Sequence, residues 1–382
     1  MDAALQFFWG MGGTFLSYAI PFLFVLTIVV FFHELGHFWV ARRCGVKCDA
    51  FSVGFGPELA GFNDRHGTRW KLCAIPLGGY VRFHGDDSAA STPDVNALSK
   101  MDEAEKRVSF FHQPVSKRAA IVVAGPVANF ILAIVIFSLV FMIFGRQVTT
   151  ARVDQIQPGS AAAEAGFQPG DLVLSIDGRK IENFSDMQRI VSASPGTTLK
   201  VIVDRGGREV GLTATPKLQE YKDNFGNVHR IGMLGLSRST TADDIVTERY
   251  GPLEAVQLGV AETWFIVERT ISYIGGIIAG RESADQLGGP IRIAQISGQV
   301  ATVSFGALLH LTAVLSVSIG LLNLFPVPLL DGGHLVFYAI EAVRGKPLSE
   351  RAQEYGFRIG LALVLMLMVF ATWNDILQLT RL

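Results

Sequence analysis

Charge is scarce in this chain. Of its 382 residues, 18% are Asp, Glu, Lys or Arg, against about 25% in a typical soluble domain, and those present are clustered. The mean hydropathy of +0.36 points the same way. A formal net charge of −1 removes the basic excess that a nucleic-acid binder needs. An apolar share of 49% excludes a disordered chain. Cysteine is nearly absent: three residues, an odd number, build no disulfide scaffold. No Lys or Arg precedes Arg42, so the first apolar run lacks the basic start of a secretory signal peptide. No G-x-S-x-G elbow occurs, which leaves a serine-nucleophile scheme without support.

What is present is long uncharged runs. A helix needs about 20 apolar residues to span a bilayer. The first run lies between Asp2 and His33, the second between Arg118 and Arg146, the third between Arg292 and Asp331, and the fourth covers Ile359 to Asn374. They predict four spans, at about 14–40, 119–145, 305–326 and 357–374. Arg42, Arg43 and Lys47 follow the first span; Lys117 and Arg118 precede the second. The positive-inside rule makes that loop cytoplasmic. Arg344, Lys346, Arg351 and Arg358, between spans three and four, agree. Both termini and the region between spans two and three then lie on the opposite side.

That region reads as a folded insertion. VDQIQPGSAAAEAGFQPGDLVLSIDGRKI has short β runs broken by Pro-Gly and Asp-Gly turns. Short helices are expected at Ala161–Gly166 and Asp186–Ser192, and a hairpin about Gly206 and Gly207. GSAAAEAGFQPGDLVLSIDG resembles the core of a PDZ domain, and RIGMLGLS (Arg230 to Ser237) resembles the strand with its peptide-carboxylate loop. Such a domain binds an extended peptide by adding it to a sheet edge. Beyond it, Asp244 to Gly280 carries Leu253, Val256, Trp264, Ile271, Ile274 and Ile278 at helical spacing, interrupted by Glu262, Glu268 and Arg269. This predicts an amphipathic helix on the membrane surface rather than a fifth span.

At the end of the first span stands His33-Glu34-Leu35-Gly36-His37. Residues four apart share one helix face, with Cβ atoms about 5–6 Å apart. That suits two imidazoles on one zinc, with the glutamate between them placed to take a proton from water at the metal. Ionisable groups in a span are rare and usually functional. A third ligand is needed. LLNLFPVPLLDGGH, Leu321 to His334, offers Asp331 or His334, three residues apart, of which only one need point inward. Pro326 and Pro328 break the third helix. A metal transporter would show repeated polar motifs; here there is one His-Glu motif and no internal repeat.

HELGH on an early span and N-x-x-P-x-P-x-L-D-G-G-H on a later one resemble the site-2 proteases, intramembrane zinc metalloproteases. GFGP (Gly54 to Pro57), PLGGYVRFHG (Pro76 to Gly85) and AGPVANF (Ala124 to Phe130) extend the match. With one PDZ domain between spans two and three, the chain is similar to the bacterial RseP type. Studied members carry two such domains in tandem; this chain has room for one. The resemblance implies a polytopic α-helical membrane protein with a membrane-associated β-hairpin and an inserted β-rich PDZ domain. Its expected parts are an N-terminal membrane region at 1–146, a PDZ domain at 147–238, an interfacial region at 239–304 and a C-terminal membrane region at 305–382.

The resemblance also implies roles. His33, His37 and Asp331 would bind Zn2+, and Glu34 would be the general base. PLGGYVRFHG would form a β-hairpin dipping into the membrane, with Gly78, Gly79 and Tyr80 against substrate. Asn129 and Asn323 would contact unwound substrate backbone or serve as interhelical hydrogen bonds. The expected partners are single-pass transmembrane substrates, such as anti-sigma factors or signal-peptide remnants, a peptide C-terminus or extended segment at the PDZ domain, and the lipid bilayer. The expected location is a bacterial inner membrane, with the PDZ domain and both termini periplasmic. The PDZ domain would restrict access to substrates already shortened. Cys44, Cys48 and Cys73 fall in the cytoplasmic loop, where disulfides are rare.

Overall fold

The computed structural model describes residues 2–86, 100–148, 150–222, 228–237, 246–280, 284 and 288–379. The chain opens with α1, Asp2–Arg43. It continues into two long strands, β1 (Cys48–Asn63) and β2 (Arg69–Phe83). The turn between them is held by Asp64, whose Oδ1 accepts from the backbone N–H groups of His66 and Thr68, with Gly67 at φ +83°. The hairpin is therefore larger than the ten residues 76–85. The register sets residues 48–53 beside 79–83 on one flank and residues 50–53 beside 69–72 on the other, while 58–63 lies beside 69–73. Gly79–Phe83 is thus an outer strand of the sheet. Phe51 stacks on Trp70, and both meet Phe38 of α1, tying the sheet to the first span.

Residues 87–99 lie outside the described residues; beyond them stands a capped helix, α2 (Glu103–Val108). The second apolar run forms α3, Val115–Ile143. Its join to α1 depends on small side chains, as close packing of membrane helices requires. A Cβ on Gly36 would lie 2.7 Å from that of Ala128.

Phe141–Gly251 forms a compact unit of its own. Its strands are β3 (Arg146–Val148), β4 (Gln155–Ile156), β5 (Leu172–Ile176), β6 (Arg179–Lys180), β7 (Leu199–Asp204), β8 (Glu209–Ala214), β9 (Lys217–Lys222), β10 (Val228–Met233), β11 (Leu236–Ser237) and β12 (Val246–Glu248). Helices α4 (Ala161–Glu164) and α5 (Phe184–Ser192) carry side-chain N-caps from Ser160 and Asn183. The sheet order β6-β5-β7-β8 encloses Val153, Val173, Ile176, Met187, Val191, Leu199, Val201 and Val203. Each such side chain gains about 1.5–3 kcal/mol on burial. This is the inserted PDZ-like domain. Gly206 and Gly207, both at positive φ, make the expected hairpin turn. RIGMLGLS is not one strand, however. Gly235 turns the chain at φ +78°, so β10 pairs with β9 and β11 with β4.

The second half of the membrane region begins with α6, Pro252–Ile278. One face holds Ala255, Gly259 and Thr263, all buried; a Cβ on Gly259 would sit 2.9 Å from the Ile134 carbonyl of α3. Leu253, Val256, Val260, Trp264, Ile271 and Ile278 stay exposed. Next come α7 (Pro290–Val303), α8 (Phe305–Asn323), α9 (Asp331–Arg344) and α10 (Glu350–Leu379). Asp375, near the end of α10, accepts from the N–H groups of Gly289, Ile291 and Arg292 and so caps α7. Among the described residues, four helices are long and apolar enough to cross a membrane: Leu16–Arg43, Val115–Ile143, Phe305–Asn323 and Arg351–Leu377. The protein is a multi-pass membrane protein.

Candidate metal centre

Three side chains from two helices converge on one point. His33 and His37 lie one turn apart on α1. Asp331 is the first residue of α9, after a break that Pro326 and Pro328 force on the chain. The turn between is tight. Leu329 takes φ +113°, a region costly for a branched side chain. Gly332 and Gly333 press on the carbonyls of Leu324, Phe325 and Val327, where no Cβ fits. The two glycines let α9 start directly below α8, and Asp331 is thereby aimed at the histidines.

His33 Nε2 lies 3.2 Å from His37 Nε2, and Asp331 Oδ2 lies 3.2 and 3.5 Å from these two nitrogens. Ligands bonded at about 2.0–2.1 Å to a tetrahedral zinc stand about 3.3 Å apart. The hydrogen bonding argues for a cation on its own. His37 Nδ1 is 2.9 Å from the Ile121 carbonyl, so it carries the proton and Nε2 presents a lone pair. Asp331 Oδ2 is buried and without a hydrogen-bond partner. Lone pairs turned on one another in a buried site repel unless a positive charge sits among them. The donor set, two imidazoles and one carboxylate, is that of a catalytic metal with one position open. These residues form the one group among the described residues that meets metal-ligand geometry.

The surroundings hold these side chains in place. Asn129 of α3 is fully buried, with Nδ2 3.3 Å from His33 Nδ1 and Oδ1 unpartnered. Turning that amide lets Oδ1 accept from His33 Nδ1–H and leaves Nε2 free for a metal. The Asn129 side chain thus makes an interhelical contact with α1. Its backbone carbonyl accepts from Ser316 Oγ of α8. Gly125 makes room for both rings: a Cβ there would lie 2.5 Å from His37 Cε1 and 2.9 Å from His33 Cε1. Glu34 is electrostatically coupled to His33, His37 and Asp331. His334, the other sequence candidate, lies instead among Phe337, Tyr338 and Phe357.

A model of peptidase family M50 matches residues 21–367. The chain belongs to peptidase family M50. A protein named as a zinc metalloprotease in Agrobacterium fabrum is 53% identical over 95% of this chain and 97% of its own. The metalloprotease MmpA of Caulobacter vibrioides is 44% identical over 95% and 96%. The regulator of sigma-E protease RseP of Escherichia coli is 30% identical over 97% and 99%. The RseP alignment runs over 468 positions, more than the whole 382-residue chain, so RseP carries residues that this chain lacks. A solved PDZ domain of an SdrC-like protein from Listeria monocytogenes matches 23% of this chain and 86% of its own at 18% identity, with a TM-score of 0.19. As an M50 member of the RseP type, the chain is a zinc metalloendopeptidase acting in intramembrane proteolysis.

Two further candidate residues, Asn323 and Gly79, adjoin this centre. Asn323, the last residue of α8, has Nδ2 3.5 Å from His33 Nε2. Gly79 pairs with Val53, and a Cβ on it would lie 3.2 Å from Glu34 Cγ. Gly78 has φ +113° and lies against the Phe55 ring, on which Tyr80 stacks. Three features went unread in the sequence: the Ile121 carbonyl, the space at Gly125 and the twin-glycine packing at Gly332. AGPVANF and LDGGH were visible as motifs, but the need for glycine appears only when facing backbones are known. Cys44, Cys48 and Cys73 are free thiols.

Proposed function

We propose that this chain hydrolyses a peptide bond in or near the transmembrane segment of single-pass membrane proteins. In this reading His33, His37 and Asp331 hold Zn2+ and Glu34 moves the proton. The observation that carries it is the set of three ligand atoms standing 3.2–3.5 Å apart with their lone pairs converging. When bound, zinc supplies a Lewis acid for the scissile carbonyl and acidifies water. Glu34 takes a proton from the attacking water and delivers it to the leaving amine. His37 and His33 are held for their task by the Ile121 carbonyl and the Asn129 amide.

A transmembrane helix must unwind before its peptide bonds are accessible. The outer strand Gly79–Phe83 offers main-chain partners to an unwound segment. Because Gly79 adjoins Glu34, a segment added there runs past the base. Gly78, Gly79 and Tyr80 are the contacts this assigns, with Asn323 donating at the rim. Such substrates include membrane-anchored anti-sigma factors and signal-peptide remnants. A shortened substrate presents its C-terminus to the loop Met233–Leu236, beside a cavity of about 80 Å³ lined by Ser160, Lys217 and Gly235. The basic loops between spans one and two and between three and four are cytoplasmic; the PDZ-like unit and both termini are periplasmic, in a bacterial inner membrane.

The test is cleavage of a model single-pass substrate in liposomes by wild type and Glu34→Gln. The variant is expected to lose about 10²–10⁴-fold in rate with its metal retained. Equal cutting by both contradicts the assignment.

A further inference from the structure

The centre uses only the first residue of α9. Further along the same helix lies a separate contact with α3. Arg118 Nη2 donates to Glu341 Oε1 at 2.6 Å, with side-chain exposures of 11% and 14%. The Arg118 Cζ sits 4.9 Å over the Tyr338 ring. Its Nε donates to the Gln113 carbonyl at 3.0 Å. A planar guanidinium with a bond on Nε, a bond on Nη2 and a ring on its face is fixed in both position and rotation.

A nearly buried ion pair is weak evidence for stability, since apolar residues of similar volume serve as well or better; fixing register is its better-attested use. The register here has a consequence. Tyr338 and Glu341 stand seven and ten residues beyond Asp331, on the same side of α9, about 10–15 Å along its axis. Arg118 stands one turn before Ile121, whose carbonyl orients His37. One helix, α3, therefore holds a first-half ligand directly and, a turn away, holds the helix that supplies the third. Rotation or sliding of α9 on α3 would carry Asp331 Oδ2 away from the two imidazoles.

We propose that Arg118, with Glu341 and Tyr338, is a positioning clamp that sets the rotation and register of the Asp331 helix and thereby metal affinity and turnover, without touching metal or substrate. The proposal rests on the reading of His33, His37 and Asp331 as ligands.

The experiment uses the full chain in detergent. Metal retention is titrated with a chelator, kcat and KM are measured separately, and the thermal midpoint is recorded for wild type, Glu341→Gln, Arg118→Lys and the double variant Arg118→Met/Glu341→Leu. The double variant removes the clamp while leaving the volume filled and no charge stranded. It and Glu341→Gln are expected to bind metal about tenfold more weakly, the lower end for loss of a group that orients a ligand, with kcat reduced and KM unchanged. Arg118→Lys, which keeps the charge and loses the fork, is expected to fall between. If the double variant keeps wild-type metal affinity and kcat, whatever its thermal midpoint, the pair is merely structural and the clamp is overturned. A wild-type chain that holds no metal overturns the ligand reading itself.

Discussion

At the residue scale, chemistry depends on which nitrogen of each imidazole is free. His37 is settled by a backbone carbonyl, which no substitution at Ile121 removes. His33 is settled by a side chain and is open to test. Asn129→Ala is expected to weaken metal binding about 10–100-fold, and Asn129→Asp, which still accepts from Nδ1–H, to restore most of it. Chelator competition measures both; equal affinity in Asn129→Ala contradicts the role. The HELGH spacing made the two histidines legible in the sequence. Spacing left the third ligand open, because Asp331 and His334 are one turn apart and helix phase alone admits either; only the resemblance of LDGGH to the site-2 proteases pointed to Asp331. The turn at Leu329 and the packing of Gly332 and Gly333 decide it, and both depend on backbone that the sequence does not display. Asn129 was legible as a polar contact of substrate or of a neighbouring helix, and His33 as its partner was not.

At the element scale, the site is made by where elements stop. α8 ends at Asn323 and α9 begins at Asp331, and the proline break between them was readable. The sheet was only partly readable. PLGGYVRFHG marked its outer strand, but β1 drew no strand reading: it contains Gly54, Gly56, Pro57 and Gly61, and the first two glycines take positive φ inside the strand. The outer strand leads to a prediction. Gly79→Val places side-chain atoms where a Cβ already falls 2.7 Å from the Ser52 carbonyl and 3.2 Å from Glu34 Cγ. Displacing the strand from the base by about 1 Å should lower kcat/KM about 10²-fold while metal content stays at the wild-type level. Unchanged kcat/KM would remove the strand from the substrate path.

At the scale of the whole molecule, the chain divides into a membrane region and the unit Phe141–Gly251. The division was legible because charge and Pro-Gly turns return abruptly after Arg146. The four spans were legible from uncharged length alone, since a bilayer imposes that length whatever the fold. Less so was α6, whose small residues pack on α3 while its apolar stripe remains exposed. The inserted unit has its own pH dependence. Burial alone would raise the pKa of Asp171, but hydrogen bonds from the Arg205 guanidinium and the Gln168 N–H outweigh it and hold the carboxyl below its ordinary value of 3.8. A folded value below the unfolded one adds stability above the unfolded pKa and loses it as pH falls through the folded one. Hydrogen exchange of β5 and β7 amides in the full chain should therefore speed up below about pH 4, with Asp171→Asn less protected at pH 7 and less sensitive to acid. An acid response unaltered in Asp171→Asn would assign it elsewhere.

The central claim is that two imidazoles and one carboxylate hold a single zinc beside Glu34. X-ray absorption at the zinc edge of the purified chain tests it most directly. The expected result is one zinc per chain, a shell of nitrogen and oxygen at about 2.0–2.1 Å, the multiple scattering of two imidazoles and no sulfur. A sulfur shell at about 2.3 Å would move the metal to the cysteines. That result, or a chain purified with no metal to absorb, would contradict the account.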